Sequence, residues 1–127
     1  MRELSGACMC GAVKLRVRTG ATEARECHCT QCRRQSGHVW AFLTVPWDAV
    51  DWQGAPAIYR HTEKADRGFC AGCGSYLYWR ERSSDMVDLS AGLFDAPTGL
   101  HLGPPSFTGN KGDYYDIADG LPQEDSA

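Results

Sequence analysis

The clearest pattern along the chain is in "AVKLRVR", where Val13, Leu15 and Val17 alternate with Lys14, Arg16 and Arg18. A period of two predicts a β-strand with one buried face. "HVWAFLTVP" is equally β-rich and is stopped by Pro46. "AIYRHT", "SYLYWRE" and "MVDLSAGLF" are β-branched or aromatic runs that predict further strands, separated by turn-forming stretches such as "WQGAP" and "DAPTG". No long stretch carries the three-to-four-residue apolar spacing of an amphipathic helix. The one helical signal is short: "CHCTQCRRQSG" predicts a knuckle running into a helical turn that closes at Gly37, where glycine can take the left-handed conformation. The tail "PPSFTGNKGDYYDIADGLPQEDSA" starts irregular, predicts one edge strand around "YYDIA", and is expected to fray over residues 118–127. The expected architecture is mainly β with little helix, one domain over residues 1–127.

Composition narrows the functional classes. The chain has 127 residues, long enough for one domain with a modest core. A net charge of -3 and a pI near 5.7 give no footprint for nucleic acid or an acidic membrane surface. The opening "MRELSGACMCGAV" has no apolar run of signal-peptide length, and "VWAFLTV" is too short to span a bilayer, so a cytoplasmic protein is expected. That expectation bears on the seven cysteines. A reducing compartment disfavours disulfides, and an odd count leaves one thiol over in any pairing, which makes metal ligation the leading use.

The cysteines fall into three groups. "FCAGCGS" places Cys70 and Cys73 in a C-x-x-C-G knuckle, and "ACMCG" places Cys8 and Cys10 two apart. Together they supply four thiolates for a closed, structural zinc; scattered buried thiols or a disulfide are the alternatives. "ECHCTQC" then leaves Cys27, Cys29 and Cys32 without a cysteine partner. Three thiolates suit either an open zinc that does chemistry or a second rivet closed by a histidine. His28 lies between two ligands and should point away from the metal they share; His38, His61 and His101 are the other histidines. An open zinc with three thiolates favours a further sulfur, so a small thiol is the expected partner. Arg33, Arg34 and Arg67 are candidate cations for its anionic groups, although an Arg-Arg pair on a short helix is more often solvated. Trp40, Phe42, Trp47, Tyr76, Tyr78 and Trp79 are expected in the core.

The order "GACMCGAVKLRV", "ECHCTQCRRQSG", "RGFCAGCGSYLYW", "SAGLFDAP" and "YYDIADGLPQ" resembles the glutathione-dependent formaldehyde-activating enzyme family over nearly the whole chain. The resemblance implies a β-tent fold of small antiparallel sheets and two Zn²⁺ ions per chain. Cys8, Cys10, Cys70 and Cys73 would hold the structural one. Cys27, Cys29 and Cys32 would bind the second, near which the thiol of glutathione docks. It implies carbon-sulfur lyase chemistry: the reversible joining of glutathione and formaldehyde to S-hydroxymethylglutathione, with no redox cofactor; Arg33, directly after the last thiol, is the candidate substrate contact among the arginines. The chain departs from the family pattern in "RHTEKADRG" and "GPPSFTGNKGDYY". It is also similar to centromere protein V, so the competing class is a zinc-stabilised interaction or thiol-sensing module without catalysis.

Overall fold

Where the alternation is cleanest the backbone follows it: in β2 (Lys14–Thr19), Leu15, Val17 and Thr19 are buried while Lys14, Arg16 and Arg18 face solvent. The structure, a computed structural model, describes residues 1–126. β2 lies between two antiparallel neighbours, β1 (Arg2–Ala7) and β5 (Val50–Gln53), in a three-stranded sheet. The second sheet has seven strands. Along the chain these are β3 (Glu23–Cys27), β4 (Trp40–Pro46), β6 (Ala57–Tyr59), β7 (Ala65–Phe69), β8 (Tyr76–Glu81), β9 (Met86–Ser90) and β10 (His101–Leu102). Their spatial order is β10-β3-β4-β9-β8-β7-β6, antiparallel throughout except for the short β10–β3 pair. The α-helix, α1 (Thr30–Ser36), is a single short segment as expected. The architecture is mainly β.

Because successive strand residues point to opposite faces, the large sheet has two different surfaces. One carries Leu43, Val45, Val87 and Leu89 and packs against Leu4, Leu15 and Val17 of the small sheet. Leu77 and Tyr78 both join this core, and the β7–β8 register slips by one between Gly68 and Phe69 to allow it. Trp47 and Trp52 close over Tyr78, with ring centroids at 5.2 and 5.6 Å. On the opposite surface Arg67, Trp79, Asp88 and Thr44 are successive Cα partners, forming one row across β7, β8, β9 and β4. That row is the floor of the site described below.

The C-terminal region corrects one expectation. "YYDIA" forms no strand; Tyr114 and Tyr115 instead bring their hydroxyls to His38 Nδ1 and His28 Nδ1. Their rings pack on the same two histidines, at centroid distances of 5.5 and 5.8 Å, and the sheet edge beside β3 is taken by β10. The pairing in this region falls to Ser106, which bridges Cys27 and Glu124 in parallel. Glu124, inside the stretch expected to fray, donates its amide to the Pro105 carbonyl at 3.0 Å and accepts from Arg25 at 2.8 Å.

Candidate functional site

Two hairpin turns meet at the first thiol group. Cys8 and Cys10 occupy the connection from β1 to β2, and Cys70 and Cys73 that from β7 to β8, so the cluster joins the two sheets. Left-handed glycines make both turns possible: Gly11 at φ 80° returns its amide to the Cys8 carbonyl, and Gly74 at φ 80° to that of Cys70. All four sulfurs lie within 4.8 Å of one another. The Cys8–Cys10 and Cys10–Cys70 separations are both 3.7 Å, the spacing of sulfurs around a tetrahedral zinc with bonds of about 2.3 Å. It is far beyond a disulfide bond of about 2.05 Å. Hydrogen bonds tune the set: Val13 N–H reaches Cys8 Sγ at 3.3 Å, and Ser75 Oγ lies 3.1 Å from Cys73 Sγ. The Ser75 bonds hold the Cys73 thiol down at about 5. Cys10 accepts a backbone bond from Ala12, yet sharing protons with Cys8, Cys70 and Cys73 pushes its thiol up to about 11. Four crowded sulfurs that cannot all ionise together fit a cation at their centre.

The second group is built at a strand-to-helix junction. Cys27 ends β3, Cys29 is the N-cap of α1, and Cys32 lies in its first turn, where its amide donates to Cys29 Sγ at 3.3 Å. Gly37, left-handed at φ 88°, ends the helix by donating to the Arg33 carbonyl. The three sulfurs again lie within 4.8 Å of one another. The Cys32 thiol holds Cys27 down at about 6, and the same bond pushes Cys32 itself far up. Among the described residues no histidine or carboxylate joins this group. His28 is 3% exposed, turned to Tyr115, with Nε2 unpartnered and 3.8 Å from Glu26; burial holds its pKa down. His38 and His61 bond to Tyr114 and Tyr59, and His101 is on an edge strand.

The three thiols open onto a cavity of about 460 Å³ floored by the Arg67, Trp79, Asp88, Thr44 row. Trp40, Phe42 and Phe107 stand with Trp79 around the sulfurs, and Arg25, Gln31, Ser106 and Glu124 complete the lining. These aromatics differ in role from what the sequence suggested. Trp47 and Tyr78 are in the main core as expected, whereas Phe42 and Trp79 line the cavity, because they sit on the surface of the large sheet that the small sheet does not cover. Trp40 lines the cavity from a second, smaller cluster with Cys27 and Cys32, buried at 6% and anchored by its indole N–H to Ser90 Oγ at 2.7 Å, with Ser90 donating in turn to the Tyr76 carbonyl.

Of the three candidate arginines, Arg67 lines the cavity and Arg33 and Arg34 do not. Arg33 is half-buried, with Nε shielded and without a hydrogen-bond partner. Arg34, in the last turn of α1, is exposed beside Tyr59 and His61. Sequence reasoning missed Arg25, Gln31, Ser106 and Phe107, which also line the cavity. Ser106 and Phe107 arrive from nearly eighty positions downstream of Cys27, and Phe107 takes a left-handed backbone at φ 54° that no residue pattern announces. Burial raises the Asp88 carboxyl, although Thr44 Oγ1 donates to it at 2.6 Å.

Fold and site define a β protein with one four-thiol group and one three-thiol group facing a cavity. The family model for the glutathione-dependent formaldehyde-activating enzyme matches residues 3–108, and the chain belongs to that family. It is 28% identical over 120 residues to an uncharacterized lyase of Schizosaccharomyces pombe, covering 93% of this chain and 88% of that one. A crystal structure of a Rhodobacter sphaeroides protein aligns with a TM-score of 0.61 at 28% identity, over 72% of this chain and 88% of the other. No helix among the described residues is long and apolar enough to cross a membrane.

Proposed function

We propose that this protein is a zinc-dependent carbon-sulfur lyase that joins a small thiol such as glutathione to an aldehyde such as formaldehyde, and reverses that addition. The observation that carries the reading is the unequal thiol count. One group has four sulfurs, the full set for a tetrahedral ion; the other has three and faces a cavity. Cys8, Cys10, Cys70 and Cys73 would hold a structural zinc, and Cys27, Cys29 and Cys32 a second one. Membership of the family and the likeness to a protein named a lyase support the same class. Thiols kept free for this purpose suit a reducing cytoplasm.

When bound at the three-thiol site, zinc supplies a soft Lewis acid that favours the ionised form of a substrate thiol. The protein does the rest. Trp40, Phe42, Trp79 and Phe107 exclude water from the sulfur, which keeps it nucleophilic. In the addition a sulfur-carbon bond forms, the carbonyl π bond breaks, and the proton lost by the thiol ends on the new hydroxyl. Charge accumulates on the carbonyl oxygen as this happens. Arg67, the buried cation of the cavity floor, is the group placed to receive it. The test is direct: incubate the zinc-loaded protein with glutathione and formaldehyde and follow S-hydroxymethylglutathione by NMR exchange. Accelerated exchange that disappears in Cys29→Ser supports the reading, and exchange no faster than in buffer refutes it.

A further inference from the structure

Arg67 is 5% exposed, yet among the described residues no carboxylate pairs with it. Three other arginines of this region are paired with carboxylates. Asp66 takes Arg60 and Arg82, at 3.1 and 2.6 Å. Arg25, the other arginine of the cavity, is held by Glu124 at 2.8 Å and Glu23 at 3.6 Å. The partners of Arg67 are all neutral: Nη1 donates to Gln35 Oε1 at 3.2 Å and Tyr76 Oη at 3.3 Å, and Nη2 donates to Gln31 Oε1. Two of those partners stand on α1, the helix that carries Cys32. A buried charge is costly unless an opposite charge answers it. Arg67 shares its cavity with the three thiols, and with two carboxylates that are already engaged: Asp88, which accepts from Thr44, and Glu124, which is paired with Arg25.

We propose that Arg67 is the counter-cation of the three-thiol centre, and that its charge sets how tightly the centre holds first a metal and then a fourth, anionic sulfur. The inference rests on the reading of that centre as a metal site. A divalent ion with three thiolates carries one net negative charge, and a fourth thiolate makes it two. Arg67 is buried beside four aromatic rings, where this excess is screened less than in water, so a fixed guanidinium is worth more there. Gln31 and Gln35 orient the guanidinium without cancelling its charge, as a glutamate at either position would. Arg67 is thus a positioning and charge-balancing residue at this centre in addition to its part in the addition step.

The experiment uses the full chain loaded with cobalt, comparing the parent with Arg67→Gln, Arg67→Lys and Gln31→Glu. Two quantities are read for each: metal affinity of the three-thiol centre by chelator competition, and glutathione affinity from the visible cobalt bands. The proposal expects Arg67→Gln and Gln31→Glu each to weaken both affinities about tenfold or more, since a charge-assisted contact of about 1.5 to 3 kcal/mol corresponds to that range. Arg67→Lys should stay within about threefold of the parent, because it keeps the charge. Gln31→Glu leaves Arg67 in place and answers its charge, so it decides the matter if Arg67→Gln does not fold. Unchanged affinities in Gln31→Glu, with Arg67→Lys as damaged as Arg67→Gln, would overturn the proposal in favour of a purely hydrogen-bonding brace for α1. If the parent binds metal at both centres and no thiol, the lyase reading fails, while the metal affinities still decide the role of Arg67.

Discussion

Replacing Cys73 with serine should cost the fold about twice what replacing Cys29 costs, for a reason that lies in sequence separation. The four-thiol centre ties residues 60 positions apart, Cys10 to Cys70, and joins the two sheets. Treated as a cross-link, closing a loop of that size restricts the unfolded chain by about 4 kcal/mol. Cys27 and Cys32 span six positions within one local turn, and the same relation gives about 2 kcal/mol. For a chain of this length about 4 °C of melting temperature corresponds to each kcal/mol. If the two groups hold zinc as proposed, Cys73→Ser should therefore lower the midpoint by about 15 °C, and Cys29→Ser by about 8 °C or less. Thermal unfolding by circular dichroism, with metal counted by plasma mass spectrometry, measures both. Equal losses, or a larger loss in Cys29→Ser, would refute the division into a structural and an open centre.

Three further substitutions test the packing around the site. In Gly68→Ala the new Cβ would stand 2.1 Å from Tyr78 Cε2, and Trp47 and Trp52 leave that ring nowhere to retreat; urea unfolding should show a loss of about 1 to 3 kcal/mol, and a loss under half that would mean the sheet yields. Trp40→Phe removes the indole donor and leaves Ser90 Oγ with its bond to the Tyr76 carbonyl but nothing donating to it, so a loss of about 1 to 3 kcal/mol is expected by the same method, with no change contradicting the anchor. Asp88→Asn should stabilise the protein at pH 7.5 and much less at pH 4.5. The Asp88 pKa is raised by burial in the fold, so ionisation favours the unfolded chain, and its penalty develops as pH rises from the unfolded value of about 3.9 through the folded one. Melting-temperature differences that are equal at the two pH values would argue against it.

Much of this was legible in the sequence because it is written in local spacing. The alternation around Val13, Leu15 and Val17 is a property of neighbouring residues, and so are the C-x-x-C knuckle at Cys70 and the glycine that ends α1. The grouping of the thiols into four and three follows from counting ligands. What escaped was everything set by long-range register. Whether Phe42 or Leu43 faces the small sheet depends on which strands pair, and both are apolar, so the pattern gave no preference. Arg67 was one of three candidate cations, with nothing local to separate it from Arg33 and Arg34, until the β7–β8 pairing put it in a row with Trp79 and Asp88. Tyr114 and Tyr115 had the composition of a strand but spend their side chains on His38 and His28. Phe107 closes the cavity from a left-handed backbone, a conformation that depends on its tertiary setting and not on its own preference.

The most direct test of an open three-thiol centre is a glutathione titration of the cobalt-loaded protein, following the visible bands that report sulfur ligation and geometry. A saturable change in the parent, absent in Cys29→Ser, is the predicted result. Two bound cobalt ions with bands that do not respond to thiol would contradict it and mark Cys27, Cys29 and Cys32 as a second closed rivet.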